Sequence, residues 1–368
     1  LLAGLIFALA TLTRPEGAML LALAVFHAGC VVVVGGLARG GSLRRPQALL
    51  RDFWPTALPM VLVYAALIVP FFIWRFSYYG DLLPNTFYVK TGGGPRVWLR
   101  GLAYLGSFAL EFGGPLLILA PLALAARPSG ADRGPRMEDE GQAPARPWSF
   151  VLRLLAWPAY LLLLCAAYAG YVVVVGGDHF PGHRFLVPIV PWLALLIAGG
   201  MAVAFRWLTR PRALRLAAPA ILGLVLVLYS SYALTRSARY DVILAGNDES
   251  LWIWAEIGEW LRDNTAPEET VAAAGAGAIA YYSDRTAIDL LGLTERHIAR
   301  LPVPEAGAGT AGHEKQDPVY VLEVRRPTYI PRIWDDYFGG EDSLRGTYEL
   351  ITVRTRHGRQ IELWRRLP

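Results

Sequence analysis

The stretch Tyr79–Lys90, YGDLLPNTFYVK, decides how this chain is read. It follows Phe53–Trp74, an apolar run long enough to cross a bilayer. A turn is expected at Gly80-Asp81, a second break at Pro84-Asn85, and the stretch ends on a cation, Lys90. Tyr78, Tyr79, Phe87 and Tyr88 flank it, as aromatics do where a chain leaves hydrocarbon for headgroups. Irregular polar backbone at that depth is tolerated only under protein or water. The stretch therefore reads as a juxtamembrane loop lining a cavity at the membrane surface.

Working outward, several more apolar runs exceed 18 residues, and 54% of the 368 residues are hydrophobic. The fold class is a polytopic α-helical membrane protein with a C-terminal soluble α/β domain. Spans are expected over 18–38, 53–74, 114–126, 150–175, 185–205 and 217–234, about six to seven in all when the apolar Leu1–Leu12 is counted. A surface-lying helix is expected within 91–112, and residues 127–148 have a disordered composition. The domains are then 1–234 in the membrane and 235–368 outside it.

Charge supports this division. Residues 1–234 carry a net +10 and residues 235–368 a net −5. The basic excess sits mainly in short loops, so it sets topology and does not mark a nucleic-acid partner. The Arg-rich loops 39–51, 127–148 and 206–215 alternate onto one side, which makes that side cytoplasmic. The loops 13–17, 75–100 and 176–184 and the tail then face outward. Against this, the 75–100 loop carries Arg75, Lys90, Arg96 and Arg100, cations that need a task of their own. Cys30 and Cys165 both lie in apolar runs, so the tail has no disulfide framework. Leu1–Leu12 has neither the basic start nor the cleavage site of a signal peptide and reads as the end of a helix.

In the tail, Asn247–Asn264 has a helical apolar period, with Asp248 and Ser250 near its start as caps. Strands are expected over Thr270–Ala274, Thr286–Leu291 and Val319–Val324. A hairpin joins Tyr348–Arg354 to Gln360–Trp364 through His357-Gly358. The partial GxGxxA at Gly275–Ala280 lacks the acidic partner of a dinucleotide site and reads as a tight turn.

Outside 127–148, the membrane part holds five acids: Glu16, Asp52, Asp81, Glu111 and Asp178. Ionisable groups at membrane depth are functional candidates by default, although Glu16 has an ordinary partner in Arg14. The second outer loop, Val175–Phe185, places Asp178, His179, His183 and Arg184 within seven residues. Asp178, His179 and His183 are candidate ligands for a divalent cation. Arg184 suits phosphate through its planar fork, or a lipid headgroup by the same chemistry. Arg14, Arg75, Lys90 and Arg184 are read as lining one outward cavity with Asp81 and Asp178. Lys90 is one of two lysines against 33 arginines, as if a compact ammonium were wanted there.

Four segments in this order, ATLTRPEG (10–17), YGDLLPNTFYVK (79–90), GGDHFPGHRFLVPIVP (176–191) and YYSDRTAIDLLGLTERHIAR (281–300), resemble polytopic GT-C glycosyltransferases. The nearest likeness is to terminal arabinofuranosyltransferases of actinobacterial cell walls. The resemblance implies an inverting enzyme of the bacterial cytoplasmic membrane that moves a sugar from a polyprenyl-phosphate donor to an extracytoplasmic glycan acceptor, among membrane lipid. It implies binding roles for Arg14, Asp81, Lys90, Asp178 and Arg184, beside which Glu16, Asn85 and His179 are further candidate binding residues. The family's catalytic aspartate lies in a first outer loop that has no counterpart here, so this chain alone is expected to be inactive, with Asp81 and Asp178 as the in-chain candidate bases. The alternatives are a mannosyl- or hexosyltransferase of the same fold and a non-catalytic glycan- or lipid-binding membrane protein.

Overall fold

The computed structural model describes residues 1–38, 46–90, 93–125, 157–180, 182–211, 217–237, 249–275, 277–303 and 305–368. The 127–148 loop and the Asp248 cap lie outside the described residues. The chain is mostly helical and divides into two compact units. One comprises 1–82, 106–171 and 185–234; the other comprises 83–105, 172–184 and 235–368.

The first unit holds α1 (Leu2–Thr13), α2 (Gly17–Ala38), α3 (Pro46–Tyr79), α7 (Val190–Leu208) and most of α6 (Trp157–Val174) and of α8 (Ala217–Ser237). Among the described residues, four helical segments are long and apolar enough to cross a membrane: 17–34, 53–79, 157–174 and 184–208. No more than 28% of any of these windows is buried by protein. Apolar surface of that extent is incompatible with water and matches lipid. A fifth candidate is a bent pair, Pro95–Glu111 and Leu116–Ala125, which meet at 92°. Its second arm belongs to a 3₁₀ helix over Gly114–Ala125 that carries Pro121 and packs along α7. Leu2–Thr13 and Ala217–Tyr232 are shorter apolar helices. Within 91–112 the structure has a helix, α5 (Pro95–Phe108), with Val97 and Gly101 buried and Trp98, Leu99 and Leu102 exposed.

The second unit contains a five-stranded mixed sheet in the order β2-β1-β3-β5-β4. Its strands are β1 (Thr270–Ala273), β2 (Thr286–Asp289), β3 (Tyr329–Pro331), β4 (Tyr348–Arg354) and β5 (Gln360–Arg366). β1 pairs in parallel with β2 and β3, and β5 pairs antiparallel with β3 and β4. Side chains alternate between faces with period two. Val271, Tyr329 and Leu363 meet Ile257 and Leu261 of α9 (Glu249–Asn264) on one face. Ala272, Ile330 and Trp364 meet Ile298, Val321 and Leu344 on the other. The sheet is thus buried on both sides between helical layers.

Two readings change, and one strand, β3, has no counterpart among the expected elements. Val319–Val324 is not a strand but a helical turn, Tyr320–Arg325, of which Val321 is buried while Val319 and Val324 are exposed. Asp317-Pro318 is a helix start: the Asp317 carboxylate accepts from the Tyr320 N–H at 2.9 Å, and proline fits the first turn. The three-residue β3 carries too few residues to show an alternation. Finally, the second half of the Tyr79–Lys90 stretch is helical, α4 (Asn85–Lys90), after the break at Gly80, where φ is 66°.

Candidate functional site

Three segments of the second unit converge on Asp178. The first is α4, which ends on Lys90. Its position is fixed from the tail: the Lys315 ammonium donates to the carbonyl oxygens of Tyr88 and Ala299 at 2.8 Å each, and Arg300 lies 4.5 Å over the Tyr88 ring. Lys315 is only 6% exposed, and burial lowers its pKa. The two carbonyl dipoles are what make a buried ammonium tolerable.

The second segment is the loop 175–184. Gly101 of α5 sits where a Cβ would come within 2.5 Å of the Val173 carbonyl oxygen, so only glycine admits this approach to the end of α6. Arg100 then donates to the Gly176 carbonyl at 3.1 Å and to the Gly309 carbonyl at 2.8 Å, and it pairs with Glu314 at 3.1 Å. Glu314 accepts in turn from the Gly307 and Gly309 amides at 2.6 and 3.1 Å. This network fastens the third segment, 305–315, to the second and sets the His313 ring 4.4 Å from His179.

At the centre, the Asp178 carboxylate is 0% exposed. Arg184 grips it through Nε and also through Nη2 at 3.2 Å, and stacks 4.2 Å over Phe180. Lys90 Nζ stands 3.9 Å and His179 Nδ1 3.7 Å from Asp178 Oδ1. A carboxylate held this way fixes a planar cation and a compact cation side by side, with half of Arg184 still exposed. That pairing suits a phosphate ester.

The structure therefore gathers Lys90, Asp178, His179 and Arg184, and Asn85 opens the helix that carries Lys90. His183 turns to Tyr104, with ring centroids 4.9 Å apart. Among the described residues no group of three His, Cys, Asp or Glu is placed to hold a metal. Arg14, Glu16, Arg75 and Asp81 belong to the other unit. There Arg14 pairs with the buried Glu16 at 3.1 Å and lies 5.4 Å over Phe185, and Arg75 lies 5.5 Å over Tyr79. Asp81 is partly buried just after Gly80.

Sequence reasoning missed His313 and Lys315. The scarcity of lysine, noticed at Lys90, applies equally to Lys315. The segment Tyr281–Arg300 proves to be scaffold: Asp289 accepts from the Leu291 and Thr294 amides at 2.9 and 2.6 Å, and Arg285 donates to the Thr265 carbonyl at 2.7 Å.

Burial lowers the pKa of both imidazoles; next, His313 lowers His179 and Lys90 lowers His313, while Asp178 opposes both shifts. A depressed imidazole pKa means that the folded state prefers neutral rings. The stability this gives is complete above the ordinary value of 6.5 and is lost as pH falls through the folded-state values. Thermal unfolding of His313→Asn should therefore lose less stability than the parent between about pH 7.5 and about pH 5. An equal acid loss in both proteins would show that these rings do not titrate with folding.

Comparison with known proteins adds the following. Residues 238–364 match a family described as "Domain of unknown function (DUF8728)". The chain is similar to the "Terminal beta-(1->2)-arabinofuranosyltransferase" of Mycobacterium tuberculosis (strain ATCC 25618 / H37Rv), at 30% identity over 194 residues. That alignment covers 49% of this chain and 29% of the relative, so the chain spans under a third of the curated relative's length. No solved structure matches. The chain is thus a membrane-type protein distantly related to a glycosyltransferase.

Proposed function

We propose that the protein is a membrane glycosyltransferase of GT-C type that moves a sugar from a polyprenyl-phosphate donor to a cell-envelope glycan. The observation that carries the reading is the Lys90–Asp178–Arg184 cluster. Charge develops on phosphate oxygen as the sugar departs, and preorganised cations stabilise it there. Asp178 orients the two cations, and Asp81 is the in-chain candidate for removing the acceptor's proton. Arg14, Glu16, Asn85 and His179 are binding residues in this reading. The distant arabinofuranosyltransferase supports the reaction class and, more weakly, the sugar.

The test uses membranes from cells expressing the native gene. They are given a radiolabelled polyprenyl-phosphate arabinofuranose donor and, in parallel, a mannose donor. Label should pass to glycan from one of the two, and no transfer above control membranes from either would refute the proposal. The same reading puts the tail outside the cytoplasm, by the Arg-rich loops 39–51, 127–148 and 206–215. Alkaline phosphatase fused after Leu234 should be active in intact cells, and an inactive fusion would place the tail inside.

A further inference from the structure

The tail contains a cavity of about 770 Å³ away from Asp178, between α9 and the β4–β5 turn. Trp252, Glu256 and Glu259 lie at positions i, i+4 and i+7 of α9, and so on one helix face. Trp252 is 60% exposed. The two carboxylates are nearly buried, 13% and 12% exposed. Gly258 is required alongside them: a Cβ there would come within 2.8 Å of Tyr282, which lines the same cavity.

The opposite wall is the hairpin turn. It is rigid: Thr355 N–H donates to the Arg359 carbonyl at 2.8 Å, the Thr355 carbonyl accepts from Gly358 at 2.9 Å, and Gly358 has a φ of 83°. The turn presents Thr355, Arg356, His357 and Arg359 to the helix. Thr355 donates to Glu256 at 2.6 Å, Arg359 pairs with Glu256 at 3.3 Å and with Glu249 at 3.4 Å, and Arg356 grips Glu259. Burial pushes the Glu256 carboxyl up, but the hydrogen bonds from Thr355 and Arg359 outweigh it and hold the group below its usual range.

Carboxylates and guanidinium groups alternate here, so an anion meets the glutamates and a cation meets the arginines. A neutral ligand with a donor and an acceptor at each carbon suits both. Fixed planar polar groups beside an exposed indole provide what a polyhydroxylated ring uses: directed hydrogen bonds at its rim and an apolar C–H face against an aromatic.

We propose that this cavity binds a neutral glycan chain, with one sugar ring stacked on Trp252 and its hydroxyls shared between Glu256, Glu259 and the guanidinium groups of Arg356 and Arg359. The proposal does not depend on the transfer reaction.

The test is saturation-transfer NMR of the full chain in detergent with hexasaccharides of arabinan, galactan, mannan and glucan. At least one should bind. Trp252→Ala and the isosteric Glu256→Gln should each weaken that binding about tenfold or more, because a stacked ring or a directed charge-assisted bond is lost. Trp252→Phe should retain most of it, and Lys90→Met all of it. Failure of all four probes overturns the proposal, as does parental affinity in both folded variants. If hexasaccharides bind while membranes show no sugar transfer, the glycan site stands and the transferase reading falls.

Discussion

Lys90→Met and Arg184→Gln are each expected to slow sugar transfer roughly ten- to a hundredfold per folded enzyme. On the proposed reading, each removes a charge-assisted contact to the donor phosphate, worth about 1.5–3 kcal/mol in a partly dehydrated cavity. The double variant should lose less than the sum, because both cations act on one phosphate and both are held by one carboxylate, Asp178. Asp178→Asn tests the same geometry differently. It leaves both cations in place but unfixed, so Arg184 has no anion to hold its fork, and transfer should fall although no cation is lost. The measurement is transfer rate against folded protein for all four variants. Rates within about twofold of the parent for both single cation variants would mean that these cations only anchor the ends of helices.

Lys315→Met should be strongly destabilising for the second unit. It strips the Tyr88 and Ala299 carbonyls of a shared charged donor at a site 6% exposed. Hydrogen bonds to charged groups contribute about 1.5–3 kcal/mol, so a loss of about 3 kcal/mol is expected for the pair. For a unit of this size that corresponds to roughly 6–12 °C in Tm. Tryptophan fluorescence melts of the full chain would measure it. A shift below about 2 °C would mean that α4 is held to the tail by the Arg300–Tyr88 stacking and apolar contacts instead.

What was legible in the sequence was what local pattern encodes. The 18-residue apolar runs pointed to the helices, the period of α9 to its buried face, and the pattern of Tyr348–Arg354 and Gln360–Trp364 to the hairpin. Val319–Val324 misled because a β-branched run without strict alternation has no decisive period; the nearby Asp-Pro was the better signal. The candidate site was half legible. Asp178, His179 and Arg184 are neighbours in sequence, and Lys90 stood out by rarity. His313 and Lys315 arrive from more than 130 residues away through the Arg100–Glu314 and Lys315–Tyr88 contacts, which no local pattern announces.

The contact between Lys90 and Asp178 has a parity. A chain threaded through a bilayer returns to its starting face only after an even number of passages. Among the described residues, α6 and the bent pair over 95–125 lie between these two, so a passage by each of them keeps the count even. The 12 residues of the bent pair's second arm, wound as a 3₁₀ helix, reach about 24 Å at ~2.0 Å each, against about 18 Å for an α-helix of equal length and a hydrocarbon core of ~30 Å. The same counting applies to His179 and His313, which are separated by α7 and α8. Among the described residues, a passage by α7 is evened out by one through Ala217–Tyr232, the shorter of the two.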